Sequence, residues 1–362
     1  MNEKLKEILK NIEINLQEAL PTEANADWEK STFKKLHHAG QEHFSQLITP
    51  CRSLMDSGGK RWRPLLLVLS SELCRECEKS SPLSLEQTYK ITPLVEFVHT
   101  ASLIHDDIED SADTRRGKPC AHITYGLDTA LNAASWLYFL APSSIESLNV
   151  STEIKNKLYA LYSSEVRRLH LGQAMDIYWH RNPELFPSID EYIQMVHCKT
   201  GTLSSLAAQT GFLAGGASPE ELQKAGELAA FLGEGFQILD DVQNLTTGNP
   251  GKKRGDDIVE GKKSLPVLLH IQENPEDKNA IEKYFYEASK EGINSPAVEK
   301  CVELLLSKGA VKKALERGKK VIQENVDAYV EILPDTKDSK SATMIKELFS
   351  EMVQKFQKME NI

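Results

Sequence analysis

Apolar residues recur along most of this chain at the three- and four-residue spacing of an amphipathic helix. The segment 1–20 alternates charged residues with Leu and Ile at this spacing, and the stretches 90–110 and 225–245 each carry one broad apolar stripe. No window of alternating β-branched residues predicts a strand, and glycine and proline cluster between the helical stretches. The pattern therefore predicts an all-α protein.

The same pattern predicts one domain of many helices, because no linker-like run of Pro, Ser or Gly and no long repeat divides the chain. We expect this domain to span 1–362, with a more polar, lysine-rich helical C-terminus from about residue 312. The longest weakly polar run, 129–141, is much shorter than the roughly 20 residues that span a bilayer. Segment 1–20 lacks the apolar core of a signal peptide, so we expect no transmembrane segment and a cytoplasmic protein.

Charge and cysteine content narrow the function. The chain has 43 Lys and Arg against 53 Asp and Glu, a net charge of −10, which disfavours nucleic acid as a partner. Six cysteines without regular spacing do not form a disulfide framework. The one CxxC, Cys74 to Cys77, would need two further ligands to bind zinc, so reduced cysteines are the simpler interpretation.

Two clusters of aspartates close two of the apolar helices. Asp106, Asp107 and Asp110 end the stripe at 90–110, and Asp240-Asp241 ends the other one. One such cluster is more often a solvated helix end, but two at the ends of mostly buried helices indicate a site. Carboxylate oxygens without an accompanying set of Cys or His favour Mg²⁺, which is commonly completed by substrate phosphates.

Basic residues accompany both clusters and a glycine pair at 58–59. They are Lys60, Arg63, Arg115, Arg116, Lys253 and Lys262. Each basic pair alone is more often solvated surface. Together with the carboxylates, however, they predict a diphosphate held through bridging cations, with Arg available for bidentate contacts.

In this order the residues resemble the motifs of the trans-isoprenyl diphosphate synthases. The motifs are Gly59-Lys60-Arg61-Trp62-Arg63-Pro64, Glu96-Phe97-Val98-His99-Thr100, Asp106-Asp107-x-x-Asp110, Arg115-Arg116-Gly117, Gly172-Gln173, Lys199-Thr200-Gly201, Phe236-Gln237-x-x-Asp240-Asp241 and Asp257-Ile258-x-Glu260-Gly261-Lys262, which span about 57–268. The resemblance implies the all-α isoprenoid synthase fold, in which many helices surround a deep apolar central cavity, usually in a homodimer. It also implies that isopentenyl diphosphate is joined head-to-tail to an allylic diphosphate with a dimethylallyl, geranyl or farnesyl group.

The resemblance also assigns roles to individual residues. Three Mg²⁺ ions would bind the allylic diphosphate to the metal ligands Asp106, Asp107, Asp110, Asp240 and Asp241. Its site would be completed by Arg115, Lys199, Gln237, Lys253 and Lys262. Isopentenyl diphosphate would bind Lys60, Arg63, His99 and Arg116. Thr200, Gln237 and helix carbonyl groups would shield the allylic cation, with the released diphosphate as the base.

Product length is predicted from the residues beside the first aspartates. Ala101 and Ser102 lie about one turn before Asp106 and are small, which implies a tunnel open beyond the fifteen-carbon product. A floor made by Tyr138, Phe139 and His170 resembles that of eukaryotic-type geranylgeranyl synthases. Ordinary core aromatics and a core histidine are the alternative. We therefore expect geranylgeranyl diphosphate, with a longer polyprenyl diphosphate as the alternative product.

Other functions fit the motifs less well. The second aspartate motif ends in Asn244, where many relatives have Asp, so a reduced role in metal binding is expected there. A class I terpene cyclase would lack the Gly-Gly-Lys-Arg segment, and a di-iron bundle would need a second Glu-x-x-His besides Glu96-x-x-His99. A non-catalytic subunit of a heteromeric synthase would typically have lost the aspartates.

Overall fold

A computed structural model describes residues 3–248 and 253–356 of the chain. These residues form nineteen α-helices and one two-stranded hairpin, so the predicted all-α class is confirmed. The helices are α1 (Glu3–Ala19), α2 (Ala26–Phe33), α3 (Gln41–Met55), α4 (Trp62–Glu76), α5 (Leu85–Lys90), α6 (Pro93–Glu109), α7 (Ala121–Tyr125), α8 (Leu127–Leu140), α9 (Ser143–Glu146), α10 (Thr152–His180), α11 (Ile189–Val196), α12 (Thr202–Gly215), α13 (Pro219–Thr246), α14 (Asp256–Glu260), α15 (Leu265–Glu273), α16 (Lys278–Glu291), α17 (Pro296–Ser307), α18 (Ala310–Val330) and α19 (Lys340–Gln354). The hairpin pairs β1 (Thr114–Arg115) with β2 (Lys118–Pro119), His197–Gly201 is a π-helical turn, and Pro275–Asp277 is a 3-10 turn.

The helix limits follow from local chemistry. Helix α6 begins at Pro93 rather than at residue 90, because proline is well suited to the first turn, where its missing N–H is not needed. Helix α1 agrees with the predicted N-terminal helix, and α18 and α19 supply the predicted helical C-terminus. Within the described ranges, each helix is too short or too polar to cross a membrane.

The chain divides into two compact units, each built from three segments. The first unit comprises 1–166, 206–226 and 332–344, and the second comprises 167–205, 227–331 and 345–362. The single domain predicted for 1–362 stays a prediction.

In the first unit, α6 is the central helix. It packs against α1, α3, α4 and α8, so its residues from Pro93 to Val98 are all buried. In addition, α12 closely approaches α4 at Gly211, where an added Cβ would lie only 2.3 Å from the carbonyl oxygen of Leu67. The polar residues at the end of α6 therefore extend from a densely packed helix.

In the second unit, glycines let helices and the π-helical turn approach closely. A Cβ on Gly172 of α10 would lie 2.3 Å from the backbone nitrogen of Lys199. A Cβ on Gly233 of α13 would lie 2.9 Å from the Cα of Gly201. Neither position has room for a side chain, so the π-helical turn is held against the backbones of α10 and α13.

Candidate active site

The first aspartate cluster lies at the C-terminal end of α6, where the helix dipole disfavours negative charge. Arg115 of β1 offsets this cost. Its Nε donates to Oδ1 of Asp107 at 2.5 Å, and its Nη2 donates to Oδ2 of Asp106 at 3.1 Å. Burial raises the pKa of Asp107, while Arg115 opposes that shift. Burial by itself lowers the pKa of Arg115, but the two carboxylates outweigh it and hold that pKa above its usual value.

The hairpin separates two adjacent arginines. Arg116 and Gly117 form its two-residue turn with φ values of 54° and 76°, the positive pair that a type I′ turn requires. Arg116 consequently extends away from the aspartates, and its Nη1 donates to the carbonyl oxygens of Leu54 and Gly58. Arg115 thus binds the carboxylates, and Arg116 hydrogen-bonds to the glycine-rich segment. The sequence did not predict this hairpin, because two-residue strands have no detectable alternation.

Predicted residues of the isopentenyl diphosphate site meet in the first unit. Arg63 is buried with its guanidinium 4.4 Å from the centre of the Trp62 ring, and burial lowers its pKa to about 10. Burial, followed by the charges of Arg63 and Arg116, lowers the pKa of His99 well below its usual value. His99 is therefore neutral at pH 7. Lys60, which shares its motif with Arg63, is exposed.

Two charged residues of this region had no role in the sequence-based assignment. Glu96 is buried on α6 and accepts from Nη1 of Arg61 at 2.9 Å. Burial raises the pKa of Glu96, and Arg61, Arg63 and Arg116 oppose the shift. Glu96 therefore faces arginines, which differs from the metal-ligand role that a di-iron bundle would require. The available signal was a glutamate inside an otherwise apolar stripe.

In the second unit, Asp241 is a buried acceptor. Its carboxylate receives hydrogen bonds from the Tyr192 hydroxyl at 2.6 Å, Nε2 of Gln237 at 3.0 Å and the backbone N–H of Leu265 at 3.1 Å. Burial raises its pKa to about 6, and these hydrogen bonds oppose the rise. Asp240 next to it is partly exposed. Neutral donors thus hold one carboxylate of this pair.

The π-helical turn presents Lys199 and Thr200. Nζ of Lys199 donates to Oδ2 of Asp176 at 2.6 Å, and Oγ1 of Thr200 donates to Oε1 of Gln237 at 2.9 Å. Gln237 therefore joins Thr200 to Asp241. Extra residues in a helical turn of this kind are frequent at functional sites.

Asn244 is buried and contacts the segment that follows α13. Its Nδ2 donates to Oδ1 of Asp257 at 3.0 Å, and its Oδ1 accepts from the backbone N–H of Asp257 at 3.3 Å. Within this segment, Nζ of Lys262 pairs with Glu260 at 2.7 Å, and Lys253 donates to Asn294 at 3.0 Å. Asn244 thus fixes the start of α14, and both the Nδ2 and the Oδ1 of its side chain are hydrogen-bonded there.

The residues predicted to set product length differ in exposure. Ala101 is buried, and the Ser102 hydroxyl donates to the carbonyl oxygen of His99 at 2.9 Å. Tyr138 is buried with its ring 5.6 Å from that of His105. Phe139, however, is 81% exposed, and His170 is exposed as well. Of the three predicted floor residues, Tyr138 is the one enclosed by this chain alone.

The carboxylates suit a hard cation whose remaining coordination positions are filled by substrate. Across 3–248 and 253–356, no group of three or more His, Cys, Asp or Glu side chains is arranged as a metal site. Mg²⁺ usually takes one or two protein carboxylates and fills its other positions with water and substrate phosphate. Asp106 and Asp107, adjacent at one helix end, fit that requirement.

The chain belongs to the polyprenyl synthetase family, whose family model, described as "Polyprenyl synthetase", matches residues 45–305. This is the class of prenyltransferase that the motifs predicted, and with the all-α structure it confirms the predicted fold class.

Two relatives and one solved structure are similar to this chain over most of its length. A protein of Neocamarosporium betae named "Geranylgeranyl pyrophosphate synthase" is 37% identical over 281 residues, which cover 77% of this chain and 74% of the relative. The "Octaprenyl diphosphate synthase" of Haemophilus influenzae is 29% identical over 290 residues, 78% of this chain and 81% of that protein. The crystal structure of geranylgeranyl pyrophosphate synthetase from Pyrococcus horikoshii matches with a TM-score of 0.78 and 26% identity, covering 97% of both chains.

We predict that Asn244→Ala increases amide hydrogen exchange in peptides covering 253–262, because the start of α14 loses both contacts to the side chain of residue 244. Gln243→Ala is the matched control, since its Nε2 donates to the carbonyl oxygen of Gly248 outside this segment. Hydrogen-exchange mass spectrometry measures both variants. Equal exchange in Asn244→Ala and the wild type would contradict the role given to Asn244.

Proposed function

We propose that this chain is a Mg²⁺-dependent synthase that condenses isopentenyl diphosphate with an allylic diphosphate and makes geranylgeranyl diphosphate. One observation carries the proposal. Arg115 turns to two carboxylates, whereas Arg116, the next residue, turns to the segment that holds Lys60 and Arg63. A carboxylate-lined site suits a diphosphate bound through metal, and a cationic one suits a diphosphate bound directly.

The two kinds of site match the chemistry of the two substrates. The allylic diphosphate must leave, and Mg²⁺ bound by Asp106, Asp107, Asp110, Asp240 and Asp241 would stabilise negative charge on the leaving group. Arg115, Lys199, Lys253 and Lys262 would bind its remaining oxygens. Isopentenyl diphosphate keeps its diphosphate, so Lys60, Arg63, Arg116 and neutral His99 need only orient it.

The allylic cation requires oxygen atoms and protection from water. The Thr200 hydroxyl donates to Gln237, so its lone pairs remain directed away from that bond. These lone pairs and helix carbonyl groups would stabilise the cation, while the alkene of isopentenyl diphosphate attacks it. The departed diphosphate then takes the proton, and apolar walls exclude the water that would otherwise quench the cation.

The small residues on α6 support a twenty-carbon product. Ala101 and Ser102 leave room beside the last turns of α6, and buried Tyr138 supplies bulk next to His105. The relative from Neocamarosporium betae carries the corresponding name.

We further propose a homodimer, which an exposed apolar face on α7 and α8 supports. Ile123, Leu127, Leu131 and Phe139 are between 48% and 81% exposed. These side chains lie on two consecutive helices that pack against each other, and exposed apolar surface commonly marks an interface. A second copy of this chain, packed on this face, would bury Phe139 in the interface.

For location we propose the cytoplasm. All six cysteines are free thiols, and five of them are buried. Sγ of Cys77 donates to the carbonyl oxygen of Pro334 at 3.3 Å, an ordinary contact for a reduced cysteine. Reduced thiols are typical of that compartment.

Removing divalent metal should abolish turnover. We expect Asp106→Asn and Asp240→Asn to lower kcat by about 100-fold or more while keeping the helical circular dichroism, because each removes charge that acts on the leaving group. Asp113→Asn, an exposed position beyond α6, is the control and should keep wild-type activity. Full activity in excess chelator would contradict the metal assignment.

Product length should respond to Ala101 and Tyr138. Ala101→Phe places a ring one turn before the aspartates and should shift the product to fifteen carbons, whereas Tyr138→Ala should lengthen it. Chromatography of the dephosphorylated prenols measures both, with exposed Tyr286→Ala as control. A wild-type product of thirty carbons or more, or an unchanged product in Tyr138→Ala, would refute this assignment.

The dimer is tested by charge on its proposed face. We expect the wild type to sediment as a dimer and the pair Leu127→Glu and Leu131→Glu to sediment as a monomer. Tyr286→Glu adds one such charge at another exposed position and should remain dimeric, whereas the single variant Leu127→Glu should not. A monomeric wild type would show that this face has another role.

A further inference from the structure

The N-terminal helix α1 precedes the part of the chain that the family model matches. That match begins at residue 45, whereas α1 ends at Ala19. Nevertheless α1 packs against α4, α5 and α6 in the first unit. Glu13, on this helix, reaches the glycine-rich motif by an ion pair with Arg61.

Arg61 binds three structural elements at once. Its Nε donates to Oε1 of Glu13 at 2.7 Å, its Nη1 to Oε1 of Glu96 at 2.9 Å, and its Nη2 to the carbonyl oxygen of Met55 at 2.7 Å. The side chain is 6% exposed, and that of Glu96 is 3% exposed. Every nitrogen of this guanidinium is therefore used within the protein.

The backbone at Arg61 is as constrained as its side chain. Its φ of 48° lies in the left-handed region, which costs energy for a residue with a Cβ. Gly59 precedes it at φ 146°, and a Cβ there would lie 3.0 Å from Nη1 of Arg61 and 3.3 Å from Nη2 of Arg116. This bend determines the direction in which the Lys60 side chain leaves the backbone. It also determines where α4 begins, and Arg63 lies in the first turn of that helix.

We propose that Glu13 and Arg61 are positioning residues of the non-allylic diphosphate site: α1 holds Arg61 through Glu13, and Arg61 holds the bend that aims Lys60 and Arg63. Glu96 supplies the buried negative charge that lets Arg61, Arg63 and Arg116 lie close together without a ligand. This inference rests on the proposed function, because it assigns that site to isopentenyl diphosphate. It adds a contribution from a helix outside the matched family region.

The test separates the two substrates kinetically. Glu13 is 41% exposed, so Glu13→Gln should raise the KM for isopentenyl diphosphate by about 2- to 5-fold, the range expected of a partly screened ion pair. Arg61→Lys keeps the charge but loses the planar fork, and should raise the same KM by about 10-fold or more. The kcat and the KM for geranyl diphosphate should stay at the wild-type values, since only one diphosphate site is misaligned.

Controls distinguish positioning from general loosening. Glu18→Gln changes an exposed glutamate of the same helix and should leave all parameters unchanged. Unfolding midpoints are measured in parallel. The double variant of Glu13→Gln and Arg61→Lys should raise the KM for isopentenyl diphosphate by less than the product of the two single increases, because both act through one contact.

Two results would overturn the inference while leaving the proposed function intact: a Glu13→Gln enzyme identical to wild type, or one in which both KM values and kcat change alike. A wild-type enzyme that forms no product from isopentenyl diphosphate with any of dimethylallyl, geranyl and farnesyl diphosphates would refute the proposed function itself, and this inference with it.

Discussion

Repulsion between like charges is the constraint on which the organisation of the first unit depends. Two neighbouring carboxylates sit at the negative end of the α6 dipole, and the buried Arg61 and Arg63 lie near Glu96 of the same helix. Each group is stable there because an opposite charge from a distant segment meets it. Arg115 does this for Asp106 and Asp107, and Glu96 does it for the arginines. The proposed diphosphate sites are thus kept charged and partly buried before any ligand binds.

The type I′ turn at Arg116–Gly117 makes this arrangement possible. Arg115 lies in β1 and Arg116 in the turn, and these adjacent residues extend to a carboxylate pair and to backbone carbonyl groups, respectively. A non-glycine residue at positive φ is costly, and its use at both Arg61 and Arg116 shows where the fold accepts strain. Both positions belong to the glycine-rich segment and its partner hairpin.

The second unit stabilises its carboxylates differently. Asp241 accepts from Tyr192, Gln237 and a backbone N–H, all uncharged, and its pKa rises to about 6 as a result of burial. Lys199 is instead held by Asp176, whose role the sequence did not predict. Thr200 and Gln237 connect the π-helical turn to Asp241, so the groups assigned to the cation and to the metal form one hydrogen-bonded chain.

By itself, the sequence determined the helical class, the family and the residue types of the site, because helical periodicity and short charged motifs are local properties. It could not show that Arg115 and Arg116 diverge, that Asn244 contacts Asp257, or that Phe139 is exposed whereas Tyr138 is buried. Only the tertiary structure decided these points. The side-chain partners of Arg61 and the backbone partners of Arg116 lie 35 to 62 residues away in the chain, and helical spacing carries no information over such separations.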